Sequence, residues 1–220
     1  MSKHLHREIE KLKKLLLYLS AFVEESAKKA VRALEERDVE LASKVIETDE
    51  EIDQMEVEVE EECLKILALH QPVAIDLRFI IAVLKINNDL ERIGDLAVNI
   101  AERAHYLATH EKVLIPFDFE GMADKALAML RKSLDALVRM NPDLAREVCA
   151  SDNGVDALNR QMYDQVQEGI RKQPDQLERL IHLLSASRHL ERIADLATNI
   201  AEDVIYMITG DIIRHRAEDY

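Results

Sequence analysis

A thirteen-residue segment occurs twice in this chain of 220 residues, and that repetition constrains the fold more than any other feature. Leu90-Glu91-Arg92-Ile93-Gly94-Asp95-Leu96-Ala97-Val98-Asn99-Ile100-Ala101-Glu102 is matched at eleven of thirteen positions by residues 190–202, at an offset of 100. Self-similarity at a fixed distance implies two copies of one structural unit. A weaker echo extends the copy upstream: Asp49-x-x-Ile52-Asp53-x-Met55 returns as Asp152-x-x-Val155-Asp156-x-Leu158, at an offset of 103. The duplicated unit therefore includes the element before the repeated segment.

Apolar spacing says that the unit is helical. Leu5, Ile9, Leu12, Leu16, Leu19 and Val23 step by four and three, which puts them on one stripe of an amphipathic helix over about 3–36. Lys11, Lys13 and Lys14 before the apolar residues 15–23 superficially resemble a signal peptide, but Glu8, Glu10 and the one-sided stripe argue against it. No run approaches the roughly 18 apolar residues that a membrane-spanning helix needs, so no direct membrane insertion is expected. Asp38 caps a second helix, in which Val45, Ile52, Val59 and Ile66 recur until Gln71-Pro72 stops it. A third starts near Val73 and carries Ile86, Leu90, Ile93, Ala97, Ile100, Ala104 and Leu107 to an end near Thr109 or His110.

Residues 111–119, with Ile115-Pro116-Phe117-Asp118, break the pattern and read as a linker. The plan then repeats: a helix over about 118–139, a stop at Asn141-Pro142, a helix to Lys172, a stop at Pro174 and a last helix to Thr209 before Gly210. The expected fold is all-α, six helices in two tandem three-helix bundles related by internal duplication, over 1–112 and 113–220. Short connections make neighbouring helices antiparallel.

Composition narrows the partners. Forty-three acidic against 29 basic residues leave a formal charge of −14, which repels a polyanion, and with no Trp and 4% aromatics there is no stock of stacking side chains. Nucleic acid is excluded on both grounds; cationic partners and metal ions suit the charge. Cys63 and Cys149 have no metal-type spacing and sit among apolar neighbours, as reduced core residues of a cytoplasmic protein would.

The carboxylates are arranged rather than scattered. Glu91, Asp95, Asn99 and Glu102 step by four, four and three along one helix face, and Glu191, Asp195, Asn199 and Glu202 repeat them. On the preceding helices Asp49 and Asp53 are one turn apart, as are Asp152 and Asp156. Asp and Asn are poor choices inside a helix, because their short side chains compete for backbone hydrogen bonds, yet both copies keep them. Two readings remain open. In one, Asp49, Asp53, Glu91, Asp95, Asn99, Asp152, Asp156, Glu191, Asp195 and Asn199 form oxygen-rich sites for Mg, Mn, Fe or Zn, one per bundle. In the other they are a polar network neutralised by Arg92 and Arg192 or simply a solvated acidic face.

A ferritin-like di-iron bundle, hence a metal-storage or redox protein, needs Glu-x-x-His on two helices. Only Glu102-x-x-His105 fits, since Glu202 is followed three residues on by Ile205. His4, His6, His70, His110, His182, His189 and His215 form no ligand pair and read mostly as surface or helix-end residues. There is no Gly-x-Ser-x-Gly, no glycine-rich phosphate loop and no activated Cys, so no enzyme is expected.

The duplicated Leu-Glu-Arg-Ile-Gly/Ala-Asp-x-Ala-x-Asn-Ile-Ala-Glu and the turn Gln71-Pro72-x-x-x-Asp76-Leu77-Arg78 resemble the PhoU family over essentially the whole chain. That resemblance implies a pair of three-helix bundles with pseudo-twofold symmetry in a cytoplasmic, often dimeric protein. It implies a negative regulator of the phosphate-starvation response, linking the ATPase subunit of a phosphate importer to a membrane sensor histidine kinase. It also implies multinuclear iron or zinc in some relatives and none in others, on motifs that fall here at Glu91, Asp95, Glu191 and Asp195. Asp49, Asp53, Asp152 and Asp156 would face them. One departure stands out: many relatives have His after the second motif Asp, where this chain has Leu196.

Overall fold

A computed structural model describes residues 3–210, and His215 lies outside them. Among the described residues the chain forms seven α-helices and no strand: α1 Lys3–Glu36, α2 Val39–Glu47, α3 Asp49–His70, α4 Ala74–Ala108, α5 Phe119–Arg139, α6 Pro142–Lys172 and α7 Leu177–Thr209, with a 3-10 turn Pro174–Gln176 before the last. The helices fall where the periodicity puts them, with one difference. The expected second helix is two helices in the structure, broken at Thr48.

The break has a local cause. Thr48 turns its hydroxyl back onto the carbonyl of Lys44, and its N–H is shared among the carbonyls of Lys44, Val45 and Ile46. Three acidic residues follow at once, Asp49, Glu50 and Glu51, and negative charge favours a new helix N-terminus. No Gly or Pro marks the place, and the apolar stripe runs through it unchanged.

Other termini follow ordinary capping chemistry. Asp38 accepts from the N–H of Leu41, Asp118 from that of Gly121, and Asn141 from those of Asp143 and Leu144 with Pro142 in the first turn. Gln71, Met140 and Gly210 take left-handed backbone conformations that close α3, α5 and α7.

The first half packs α4 against α1, α2 and α3; the second packs α7 against α5 and α6. The halves meet where α4 runs along α7, helped by α1 against α5. The apolar core is continuous from Leu5 to Met207 and includes both free cysteines. Burial pushes the Cys63 thiol up to about 12, so it is not a nucleophile in the folded protein. Around the linker, Arg37 donates to the carbonyls of Ala108 and His110, and Arg179 bonds both the carbonyl and the side chain of Glu111.

One buried ion pair ties α1 to α3. Glu62 is 7% exposed and accepts from Lys11 Nζ at 2.8 Å and Lys65 Nζ at 2.6 Å. Burial alone would raise its pKa, but the two lysine hydrogen bonds outweigh that and bring it down to about 2. A carboxylate depressed below its unfolded value stabilises the fold above about 4.5 and loses that contribution as pH falls through about 2. Because both lysines are half exposed, Glu62→Gln is expected to cost on the order of 1–2 kcal/mol at neutral pH. Urea midpoints measured at pH 7 and pH 3 should show a smaller parent-to-variant gap at pH 3.

Candidate functional site

The carboxylates gather where α3 meets α4 and, by the duplication, where α6 meets α7. In the second half, Asp152 and Asp156 on α6 and Asp195 on α7 each bring one oxygen to within 4.8 Å of the others. Asp152 Oδ1 is buried and has no hydrogen-bond partner among the described residues. Burial first, then the charges of Asp195, Asp156 and Glu191, raise the Asp152 pKa to about 6. Glu191 and Asp195 are raised for the same kinds of reason, burial first, then their carboxylate neighbours. Mutual repulsion held in place by the fold marks a set that a cation would relieve.

In the first half the same positions are neighbours without closing as tightly. Asp49 is raised by burial and by Asp53 and Asp95, and Glu91 by burial and by Asp95, Asp53 and Glu56. Close approach of the two helices depends on Gly94. A Cβ there would stand 3.1 Å from two carbons of Ile52 and 3.7 Å from Asp49 Oδ1. The second half has Ala194 and Val155 at these positions, so a methyl group has moved from one helix to the other.

Asn99 and Asn199 lie beside Asp95 and Asp195, on the side of the carboxylate sets that faces the other half. Both line a cleft of about 390 Å³ between α4 and α7, with Arg92, Asp95, Leu96 and their counterparts Arg192, Asp195 and Leu196. The Asn99 amide donates to the carbonyl of Asp95, one turn back on its own helix. Arg92 acts on Glu91, and Arg192 on Asp195, through charge rather than an ion pair among the described residues. Arginine neutralisation of the sets is therefore partial.

Two half-buried polar pairs behind the carboxylates are not legible in single-helix spacing. Asn87, 1% exposed on α4, donates to the Glu56 carbonyl at 2.8 Å and to Glu56 Oε1 at 2.9 Å. The corresponding pair is Ser187, whose hydroxyl donates to Asn159 Oδ1 at 3.0 Å, while the Asn159 amide in turn favours the charged form of Glu191. The signal was present in the offsets of 103 and 100, which map 56 onto 159 and 87 onto 187.

The histidines are placed elsewhere. Tyr106 stacks on His110 and His182 with centroids 4.0 and 3.9 Å away. His189 is half-buried, and burial with Arg103, Arg192 and Arg188 lowers it to about 4, so it is neutral at pH 7 rather than an exposed surface group. Glu102 and His105 line a separate pocket with Ser43, Ile46 and Glu47.

The donor chemistry fits a hard or borderline cation. Oxygens bound at about 2.0–2.2 Å to one ion stand no more than roughly 4.4 Å apart, so the set of Asp152, Asp156 and Asp195 is close to ligand size. No helix of the described residues is long and apolar enough to cross a membrane.

Comparison with known proteins gives a consistent answer. The PhoU domain model matches residues 16–104 and again 119–204, once per half. The chain is 39% identical over 213 residues to a protein of Aquifex aeolicus named phosphate-specific transport system accessory protein PhoU homolog, covering 96% of each. The crystal structure of PhoU from Pseudomonas aeruginosa superposes with a TM-score of 0.88 at 37% identity, over 94% of this chain and 99% of that one. The phosphate transport system regulatory protein PhoU from Streptococcus pneumoniae gives a TM-score of 0.85 at 32% identity, over 94% and 98%.

Proposed function

Because the chain belongs to the PhoU family, we propose that it is an accessory regulator of phosphate uptake and phosphate-starvation signalling. The observation that carries this reading is the match of both halves to the family domain, with relatives named for phosphate transport over nearly their full length. It acts by contact rather than catalysis, as a cytoplasmic homodimer. Its partners are the ATPase subunit of a phosphate importer and a membrane sensor histidine kinase, which it holds in the repressing state when phosphate is plentiful.

Metal belongs to the same reading. Asp152, Asp156, Glu191 and Asp195 would hold one site, and Asp49, Asp53, Glu91 and Asp95 the other, with iron or zinc as the resident ion and manganese or magnesium as alternatives. Support comes from the three converging oxygens and the unpartnered buried oxygen of Asp152. The ion would supply positive charge that cancels carboxylate repulsion and fixes α6 to α7. The chain's own residues then present one rigid face along the α4–α7 cleft.

Deletion of the protein is expected to switch on a phosphate-responsive reporter in high phosphate, and the intact chain to restore repression. An unchanged reporter would remove the regulatory reading. Elemental analysis of gently purified parent beside an Asp95→Ala, Asp195→Ala double variant tests the metal separately. Stoichiometric metal that is lost from a still-helical variant is the expected result.

A further inference from the structure

The two carboxylate sets are copies by descent but not by chemistry. In the second half Asn159 stands behind the set, fixed by Ser187, and its amide favours the charged form of Glu191. In the first half the same place holds Glu56, which can only accept, is fixed by Asn87, and repels Glu91. The second half thus carries four carboxylates with an amide behind them, and the first carries five carboxylates.

Backbone support differs in the same sense. Asp152 and Asp156 lie in the interior of α6, a single helix of 31 residues. Asp49 is the first residue of α3, immediately after the break at Thr48, and Asp53 is one turn further. Among the described residues, only the second set has three carboxylate oxygens already within 4.8 Å of one another. The first set must be drawn together against a larger charge, which costs affinity for a first ion but leaves more charge for later ones.

We propose that the two halves take up divalent cations unequally. Asp152, Asp156, Glu191 and Asp195 bind the first ion with Asn159 as a positioning residue, and the first half fills later with Glu56 as a fifth carboxylate. This rests on the metal reading above and goes beyond it by assigning an order and two residues. The extra carboxylate of Glu56 favours cations by long-range attraction, but water and salt screen it at the half-exposed site. Preformed geometry therefore decides the first step.

The test is a titration of chelator-treated protein with Mn²⁺, reading free ion by electron paramagnetic resonance and heat by calorimetry, with helicity checked by circular dichroism. The parent should show two phases separated at least tenfold in affinity. Asp195→Asn should abolish the tight phase and keep the weak one; Asp95→Asn should do the reverse. Asn159→Ala should weaken the tight phase several-fold with the weak phase unmoved, and Glu56→Gln should alter the weak phase alone. Loss of the tight phase in Asp95→Asn, or one phase of equal sites, would overturn the unequal order while leaving metal binding intact. No Mn²⁺, Fe²⁺ or Zn²⁺ uptake by the parent would overturn the metal reading and this inference together.

Discussion

Truncating Ile200 to alanine is expected to lower stability by about 3–4 kcal/mol, the range for a fully buried aliphatic side chain whose cavity the surroundings only partly fill. Ile200 is 0% exposed on α7, the helix that joins the halves along α4. The expected result has a second part, which concerns cooperativity. The core is continuous across α4 and α7, so the loss should be felt by the whole chain in a single transition. Urea unfolding followed by far-ultraviolet circular dichroism and by tyrosine fluorescence, in a chain without Trp, gives two probes of that transition. Coincident curves that shift together are expected. Two resolved transitions, with only the later half displaced, would mean that 1–112 and 113–220 fold as separate domains.

The opposite sign is expected at Asp152. Burial and the surrounding carboxylates raise its folded pKa to about 6 from an ordinary 3.8. An acid raised in this way penalises the fold above about pH 6, and the penalty is relieved as pH falls through that value toward the ordinary one. Asp152→Asn should therefore stabilise the metal-free protein, by on the order of 1–2 kcal/mol at pH 7.5 once solvent screening at the half-open site is allowed for. Thermal melts of chelator-treated parent and variant at pH 7.5 and 4.5 check both size and sign. The gap should narrow at pH 4.5, and a less stable variant at pH 7.5 would mean that the carboxylate is held favourably. A side chain that costs stability and is present in both copies of a motif is more easily understood as serving binding than packing.

Much of this was legible in the sequence because helices announce themselves one stripe at a time. The stripe from Leu5 to Val23, the Asn141-Pro142 stop and Gly210 each carry a local cause, and the structure follows them. Thr48 is the exception: its break depends on a hydroxyl folding back and an acidic run following, with neither Gly nor Pro to mark it. At the site, the one-turn spacing of Asp152 and Asp156 was enough to place them together. What spacing could not give was the partner across the helix interface. Asn87 with Glu56, and Ser187 with Asn159, are pairs between helices, visible only once the packing is known. Asn99 and Asn199 are the same kind of case: spacing put each on a stripe with its own Asp, but that the two stripes face each other across one cleft between α4 and α7 shows only in the packing.

The unequal offsets carry a practical consequence. Helix-two positions repeat at 103 and helix-three positions at 100, so the later half is three residues shorter between them. In its register the 3-10 turn Pro174–Gln176 falls where the first half already has the opening turn of α4 from Ala74. The shortening was absorbed at that end of the bundle, while Glu191 and Asp195 kept their alignment roughly 25 Å away along the helix axis. The connections at 71–73 and 173–176 are thus where this architecture has already accepted a change of length. They are the natural places to graft a tag or a fluorophore, or to open the chain for circular permutation, without disturbing the carboxylates.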